Sequence, residues 1–115
     1  MKNRCVFCDI LAGHIPAEIV YQNDDVIAFK DIHPRAPVHV LVIPKEHIPT
    51  LNDLSDSHKS LIGELFLAAT TVAKLTGIDQ TGYRTVFNCH KDAGQEVYHI
   101  HLHVLGGRKM SWPPG

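Results

Sequence analysis

Three histidines alternate with aliphatic residues near the carboxyl end of the chain. His99, His101 and His103 are separated by single aliphatic residues within the run 97–105. Because successive side chains of a β-strand point to opposite faces, this spacing predicts three imidazoles on one face and an apolar surface on the other. An imidazole can act as a nucleophile, a general acid or base, or a metal ligand. The pattern therefore predicts a reactive site, and spacing alone leaves attack on a phosphate and zinc chelation both open.

A polar loop leads directly into the histidine run. It contains Asn88, Gly94 and Glu96. A glycine lets a backbone N–H group approach an anion closely, and an asparagine supplies an amide donor. An ordinary polar hairpin with a glycine in its turn explains the same residues equally well.

The amino-terminal segment holds Cys5 and Cys8 in a C-x-x-C arrangement. This spacing is typical of a redox pair or of half a zinc site, and it also arises by coincidence. The chain has 3 cysteines in all, and an odd number argues against a closed disulfide framework. No strand–helix–strand pattern surrounds the pair, which weakens the redox interpretation.

The elements that must position these residues follow from periodicity and from turn residues. One long helix is predicted over 55–76, with an N-cap at Ser55 and a stop at Gly77. A short helix is predicted over 7–12 and strands over 19–22, 26–30, 38–43, 83–87 and 97–105. One long helix and about five short strands with short connections predict an α+β fold, an antiparallel sheet with the helix on one face.

Composition limits the function classes. The chain has 115 residues, a net charge of −1, 44% hydrophobic and 20% charged residues, which predicts one globular domain over 1–115. The near-neutral charge predicts no nucleic acid partner and no anionic membrane surface. The longest apolar run, 65–69, is far shorter than the roughly 20 residues of a membrane span. We expect a soluble, cytoplasmic protein.

The histidine run and its surroundings resemble a known family. Residues 97–107 are similar to the histidine-triad motif, His-x-His-x-His followed by apolar residues. Further stretches resemble the Hint branch of the histidine-triad (HIT) superfamily, in chain order and with no large gap: 29–32, 36–39, 42–45, 94–99 and 108–115. The resemblance covers nearly the whole chain and implies a HIT-like fold.

This resemblance implies a particular reaction. Hint proteins are homodimers that bind purine nucleotides such as AMP and GMP and hydrolyse nucleoside 5′-phosphoramidates. By position, His101 would be the nucleophile that forms a nucleotidyl-histidine, which water then cleaves. His103 would contact the phosphate, His99 would orient the nucleophile, and His39 would be a fourth, neighbouring histidine. The reaction would need no metal.

The resemblance also implies the substrate contacts. Asp31 would bind the ribose hydroxyls, although a turn role explains this residue type as well. The base would be enclosed by apolar residues for which core packing is the alternative: Phe7, Ile10, Phe29 and Ile32. The phosphate would be surrounded by Asn88, Gly94, Glu96 and the Val97 backbone. Trp112 would reach the other subunit's site, or belong to a flexible end.

Two features vary within the family. Glu96 stands where many animal relatives have serine, and a carboxylate repels a phosphate unless it is protonated or turned away. It would instead favour a cationic leaving amine. Some bacterial relatives hold a structural zinc, and the matching residues here are Cys5, Cys8, His47 and His99. Two reduced thiols in a short helix are the alternative.

Two other functions fit parts of the pattern. In a zinc hydrolase, His99, His101 or His103 would hold a catalytic metal. In a nucleotide-binding or scaffolding module, the same fold would bind nucleotides with little catalysis. An intact histidine run argues against the second, because a protein that only binds has no need of a nucleophile.

Overall fold

Seven main elements follow one another along residues 5–115, the part of the chain that the computed structural model describes. In chain order they are α1 (Val6–Leu11), β1 (Ile19–Gln22), β2 (Val26–Lys30), β3 (Val38–Pro44), α2 (Lys59–Thr76), β4 (Tyr83–Val86) and β5 (Leu102–Gly106). Short 3-10 turns span Leu51–Asp53, Asp56–His58 and Lys91–Ala93. The single domain predicted over 1–115 includes residues 1–4, which lie outside this part.

The five strands form one antiparallel sheet with the spatial order β1-β2-β3-β5-β4. Helix α2 packs across β1, β2, β3 and β5 on one face. This arrangement confirms the predicted α+β class, with one long helix and a short amino-terminal helix. The two strands of the first hairpin have the predicted bounds. Helix α1 begins and ends one residue earlier than predicted, and β3 and β4 each differ from their predictions by one residue at the carboxyl end. None of the helices in residues 5–115 is long and apolar enough to cross a membrane.

The start of the long helix differs from its prediction. Ser55 precedes a 3-10 turn rather than an α-helix, and α2 begins at Lys59. The turn is closed locally, because the Ser55 N–H group donates to Nδ1 of His58 at 3.0 Å and the His58 N–H group donates to the Ser55 carbonyl. At the other end Gly77, with φ 79°, stops the helix as predicted.

The sheet separates two apolar clusters. Alternate residues of the central strands face α2, where Val40, Val42 and Val104 pack against its apolar side. The residues between them face the opposite side, where Leu41 and Ile43 join a cluster that α1 covers. The period of two along each strand therefore assigns one face to the main core and leaves the other for a site under α1.

The last strand is shorter than predicted, since 97–101 lies outside β5. The ladder between β3 and β5 ends at the pair Val42 and Leu102. Two residues farther along β3 comes Pro44, which has no N–H group to donate to a ladder. The Ile100 N–H group donates instead to the Ile48 carbonyl, at 2.8 Å. The side chains still alternate, because Ile100 is buried in the α2-side core while His101 contacts Phe7.

Candidate active site

A cavity of about 310 Å³ opens on the sheet face that α1 covers. Its lining includes two of the three alternating histidines and residues from both halves of the chain. Eleven of the lining residues are ones predicted for the site: Phe7, Ile10, Phe29, Asp31, Ile32, Asn88, Gly94, Glu96, Val97, His101 and His103. The structure therefore brings together residues that are up to 96 positions apart in the sequence.

Other lining residues were not predicted. They come mainly from α1 and the segment after it, and they are Val6, Ile15, Pro16, Ala17, Lys30, His33 and Leu41. Only Leu41 could have been predicted from the sequence pattern, because His39, Leu41 and Ile43 are spaced two residues apart and so lie on one face of β3. The segment after α1 has no periodicity, so its position over the cavity could not be inferred.

Asp31 is held at the cavity from two sides. Its Oδ1 accepts the backbone N–H group of His33 at 2.8 Å, and its Oδ2 lies 3.4 Å from Nε2 of His39. The turn role expected from residue type and a position in the cavity wall are thus both present. The carboxylate retains lone pairs for two neighbouring hydroxyl groups.

His101 has a fixed tautomer. Its Nδ1 lies 2.8 Å from the backbone carbonyl oxygen of His99. A carbonyl only accepts, so Nδ1 carries the proton and Nε2 carries the lone pair. Within residues 5–115, every buried side-chain nitrogen has a hydrogen-bond partner. Nε2 of His101 has no such partner there, so this nitrogen is not buried. Because His101 lines the cavity, Nε2 is accessible from it. The exposed fraction of the residue is only 9%.

A chain of hydrogen bonds fixes the next two histidines. The Arg35 N–H group donates to Nδ1 of His39 at 3.0 Å, so the proton of neutral His39 is on Nε2. That nitrogen lies 2.9 Å from Nδ1 of His103 and donates to it. The remaining nitrogen of His103, Nε2, therefore carries a proton and can donate to an anion in the cavity.

Burial keeps this imidazole group uncharged. Desolvation lowers the pKa of His101. It also lowers the pKa of His39, where it outweighs the attraction of the Asp31 carboxylate for a proton. The pKa of His103 falls to about 4, because burial comes first and the neighbouring imidazoles His101 and His39 add repulsion. At neutral pH the site offers a neutral nucleophile and a neutral donor rather than imidazolium ions.

His99 does not line the cavity and belongs to a second group beside it. Its Nε2 donates to the Pro44 carbonyl at 2.8 Å, so the lone pair of the neutral ring is on Nδ1. That Nδ1 lies 3.5 Å from Sγ of Cys5, 3.6 Å from Sγ of Cys8 and 3.2 Å from Nδ1 of His47. The ligand atoms of these four residues all lie within 4.8 Å of one another.

These distances fit a tetrahedral metal site. Zinc–sulfur and zinc–nitrogen bonds of about 2.3 and 2.05 Å place neighbouring N and S ligand atoms roughly 3.3 to 3.6 Å apart. Burial and the adjacent Cys5 raise the pKa of the Cys8 thiol to about 11, so a nearby cation is needed for both thiols to ionise at neutral pH. The donors therefore fit the two-cysteine, two-histidine set of structural zinc.

Trp112 lies outside the cavity. The residue is 81% exposed. The guanidinium carbon of Arg84 lies over its ring, 5.9 Å from the ring centroid. Arg84 also donates to the Ser111 carbonyl at 3.1 Å. The tail thus runs beside β4 within a single chain, and the predicted substrate contact of Trp112 stays a prediction that requires a second subunit.

Comparisons with known proteins agree with this geometry. A sequence profile of the HIT domain matches residues 12–110. Purine nucleoside phosphoramidase of Escherichia coli K12 is 46% identical over 96% of this chain and 92% of its own length. A HIT family hydrolase from Legionella pneumophila superposes with a TM-score of 0.95 at 50% identity, covering 97% of this chain and all of that one. A histidine triad protein from Clostridium difficile superposes at 0.90, with 43% identity over 96% and 97% of the chains.

The lowered histidine pKa values predict how stability depends on pH. The unfolded chain protonates His103 near pH 6.5, whereas the folded chain resists protonation down to about pH 4. The unfolded state therefore binds more protons in this window, and the free energy of unfolding falls as the pH drops, by up to about 1.4 kcal/mol per pH unit for this group. Chemical denaturation of the wild type and of His103→Gln between pH 7 and 4 measures it. The variant should have a shallower slope, and parallel curves would contradict the assignment.

Proposed function

The chain belongs to the HIT domain family, and we propose that it is a purine nucleoside phosphoramidase acting through a nucleotidyl-histidine intermediate. The observation that carries this proposal is the accessible Nε2 lone pair of His101, whose other nitrogen is fixed by the His99 carbonyl. A neutral imidazole with one free lone pair is a competent nucleophile toward phosphorus at neutral pH. The surrounding cavity offers apolar walls for a base and polar groups for a nucleotide.

The first step forms the covalent intermediate. Nε2 of His101 attacks the α-phosphorus, the P–N bond breaks, and the nitrogen leaves as an amine after taking up one proton. The imidazole becomes positively charged, and its Nδ1–H group stays on the His99 carbonyl oxygen, which stabilises that charge. His103 donates from Nε2 to a phosphoryl oxygen, in the tautomer that His39 fixes.

The second step releases the nucleotide. A water molecule attacks the phosphorus, loses a proton, and displaces Nε2 of His101, which regains its lone pair. The products are the amine and the nucleoside monophosphate. Catalysis in both steps consists of positioning and charge stabilisation, as in other phosphoryl transfers.

The rest of the cavity supports nucleotide binding. Phe7 and Phe29 meet edge to face with ring centroids 5.5 Å apart, which makes a rigid wall for a purine. Asp31 has carboxylate lone pairs for the ribose hydroxyls, because only part of its capacity is used by His33 and His39. AMP, GMP and their phosphoramidates are the expected ligands.

A catalytic zinc is disfavoured by the hydrogen bonds. Nε2 of His99 is occupied by the Pro44 carbonyl and its Nδ1 faces the thiols, so His99 cannot share one ion with His101 and His103. The other candidate group contains His39 and His103, whose ring nitrogens lie 2.9 Å apart. That distance is typical of a hydrogen bond and is short for two ligands of one ion.

Replacement of the nucleophile tests the proposal. We expect the wild type to release AMP from adenosine 5′-phosphoramidate and His101→Ala to be slower by roughly 10⁴-fold or more, as for other nucleophiles that act within a catalytic unit. His14→Ala, at an exposed histidine that does not line the cavity, is the matched control and should retain turnover. Equal, near-background release by all three proteins together with tight AMP binding would favour the binding-module alternative.

A structural zinc is the second part of the proposal. Cys5, Cys8, His47 and His99 would hold it, and the ion would tie α1 to the segment that carries the nucleophile. The ion would supply the charge that both thiolates need, and it would take no part in the reaction. Within residues 5–115 none of the three cysteines forms a disulfide, which supports a reducing compartment such as the cytoplasm.

Metal analysis tests this site. The purified protein should contain about one zinc per chain, and Cys8→Ser should lose it together with several degrees of thermal stability, because a structural ion adds directly to the folding free energy. Cys89→Ser replaces a cysteine that lies outside the group of proposed ligands and should keep both the zinc and the thermal stability. Equal zinc content in the two variants would rule out the proposed ligands, and turnover that stops on chelation while the chain remains folded would revive the catalytic-zinc alternative.

The unpaired edge of the sheet at β4 supports homodimerisation. Strand β4 is at the end of the strand order, so one of its edges has no partner. Beside it, Phe66 of α2 packs on Phe87 at 6.1 Å and remains 43% exposed. An open edge next to exposed aromatic surface suits a second copy of the chain. The β4 edges of the two copies would then pair with each other. The Trp112 tail lies along the same strand.

Sedimentation velocity of two helix variants tests the dimer. Phe66 and Leu75 lie nine residues apart, so at about 100° per residue they point in opposite directions from α2. Phe66→Glu should shift the protein to monomers, whereas Leu75→Glu should remain dimeric. Tyr83→Arg on the open edge is a second variant in case Phe66→Glu does not fold. A monomeric wild type, or dimers that persist in both Phe66→Glu and Tyr83→Arg, would contradict the proposal.

A further inference from the structure

Gln95 is a buried amide that connects three backbone segments around the cavity. It is 7% exposed. Its Oε1 accepts the His90 N–H group at 2.9 Å, and its Nε2 donates to the Pro49 carbonyl at 2.7 Å and to the Val97 carbonyl at 3.1 Å. Both amide protons and the oxygen are thus used, which gives the side chain a single orientation.

The residue that it holds has an unusual backbone. His90 has φ 68° and ψ −171°, and it is the one non-glycine residue with positive φ in residues 5–115. This region of backbone space is almost restricted to glycine, and another residue adopts it only when its surroundings impose it. Gln95 does so from two atoms, because its backbone N–H group also donates to the His90 carbonyl at 3.1 Å.

The segment closed by this pair carries the polar end of the cavity. Asn88 precedes it, while Gly94, Glu96 and the Val97 backbone follow or lie within it. Through Pro49 the same amide reaches the segment next to Ile48, whose carbonyl accepts the Ile100 N–H group at 2.8 Å. Gln95 therefore links the loop to the chain segment between His99 and His101.

We propose that Gln95 is a positioning residue that holds loop 88–97 in a strained conformation so that its donors meet the substrate phosphate. The proposal deepens the phosphoramidase assignment and rests on it for the identity of the anion. Gln95 does not line the cavity, so it acts through the loop and not by contact with substrate. Its loss should weaken interactions with the phosphate and leave those with the nucleoside unchanged.

Binding of adenosine and AMP separates positioning from general stability. In Gln95→Met the new side chain has a similar length but cannot form the three hydrogen bonds of the Gln95 amide. We expect it to weaken AMP binding about tenfold, to leave adenosine binding within twofold, and to lower kcat by roughly 10²-fold, the cost of a misplaced group. Gln80→Met is the matched control and should change none of these, because Gln80 is exposed and its amide bonds, within residues 5–115, only to its neighbour Asp79.

A double variant tests whether the strain at His90 is the cause. Glycine adopts the His90 conformation without strain, so His90→Gly combined with Gln95→Met should regain part of the lost AMP affinity and kcat relative to Gln95→Met alone. Gln95→Glu keeps an acceptor for His90 but not the donors to Pro49 and Val97, and it replaces the methionine variant if that chain does not fold. We expect it also to weaken AMP binding and leave adenosine binding within twofold.

The outcomes distinguish this proposal from the proposed function. Equal weakening of adenosine and AMP, or no change in either, would overturn the positioning role. Selective loss of AMP affinity in a protein whose wild type has no turnover would support the positioning role and contradict the phosphoramidase. Failure of the glycine double variant to regain affinity would exclude strain at His90 as the mechanism.

Discussion

The hydrogen bond between Nδ1 of His101 and the His99 carbonyl is the interaction on which the account depends. It sets the tautomer of the nucleophile, its orientation, and the acceptor for the charge that forms in the first step. The bond lies beside a bend at residues 97–99, in a segment that does not continue the ladder of β5. Pro44 lies two residues past the last ladder pair and has no N–H group to donate there, while its carbonyl accepts from His99. Pro44 therefore lies just past the end of the β3–β5 ladder and also orients the ring of His99, two residues before the nucleophile.

The same bend joins the two polar groups of the molecule. His99 gives its backbone carbonyl to the nucleophile and its side chain to the cluster of thiols and His47. A metal in that cluster would restrain the ring of His99 and so the carbonyl on which His101 depends. The cavity and the candidate metal site are thus separate in chemistry and linked through a single residue. Burial lowers the pKa values of His101 and His103, so both rings are neutral at the pH at which the attack on phosphorus takes place.

Local pattern was sufficient for much of the fold. The first hairpin, the glycine stop of α2 and the facing of the histidine run follow from turn residues and periodicity, and the structure has them as predicted. The early end of β5 could not be predicted, because it depends on the register that places Val42 opposite Leu102. The start of α2 depends on a bond from Ser55 to His58 that competes with the helix. Such choices are made by partners that the periodicity of one segment does not contain.

The site shows the same division. Family resemblance indicated the residues that surround the cavity, but the protonation of each imidazole depends on contacts such as that between Arg35 and His39. The most direct measurement is rapid chemical quench of the wild type with excess adenosine 5′-phosphoramidate, followed by peptide mass spectrometry. We predict an AMP adduct on His101 that forms and decays fast enough to account for turnover. An adduct on another residue, or rapid turnover with no adduct at any time, would contradict the account.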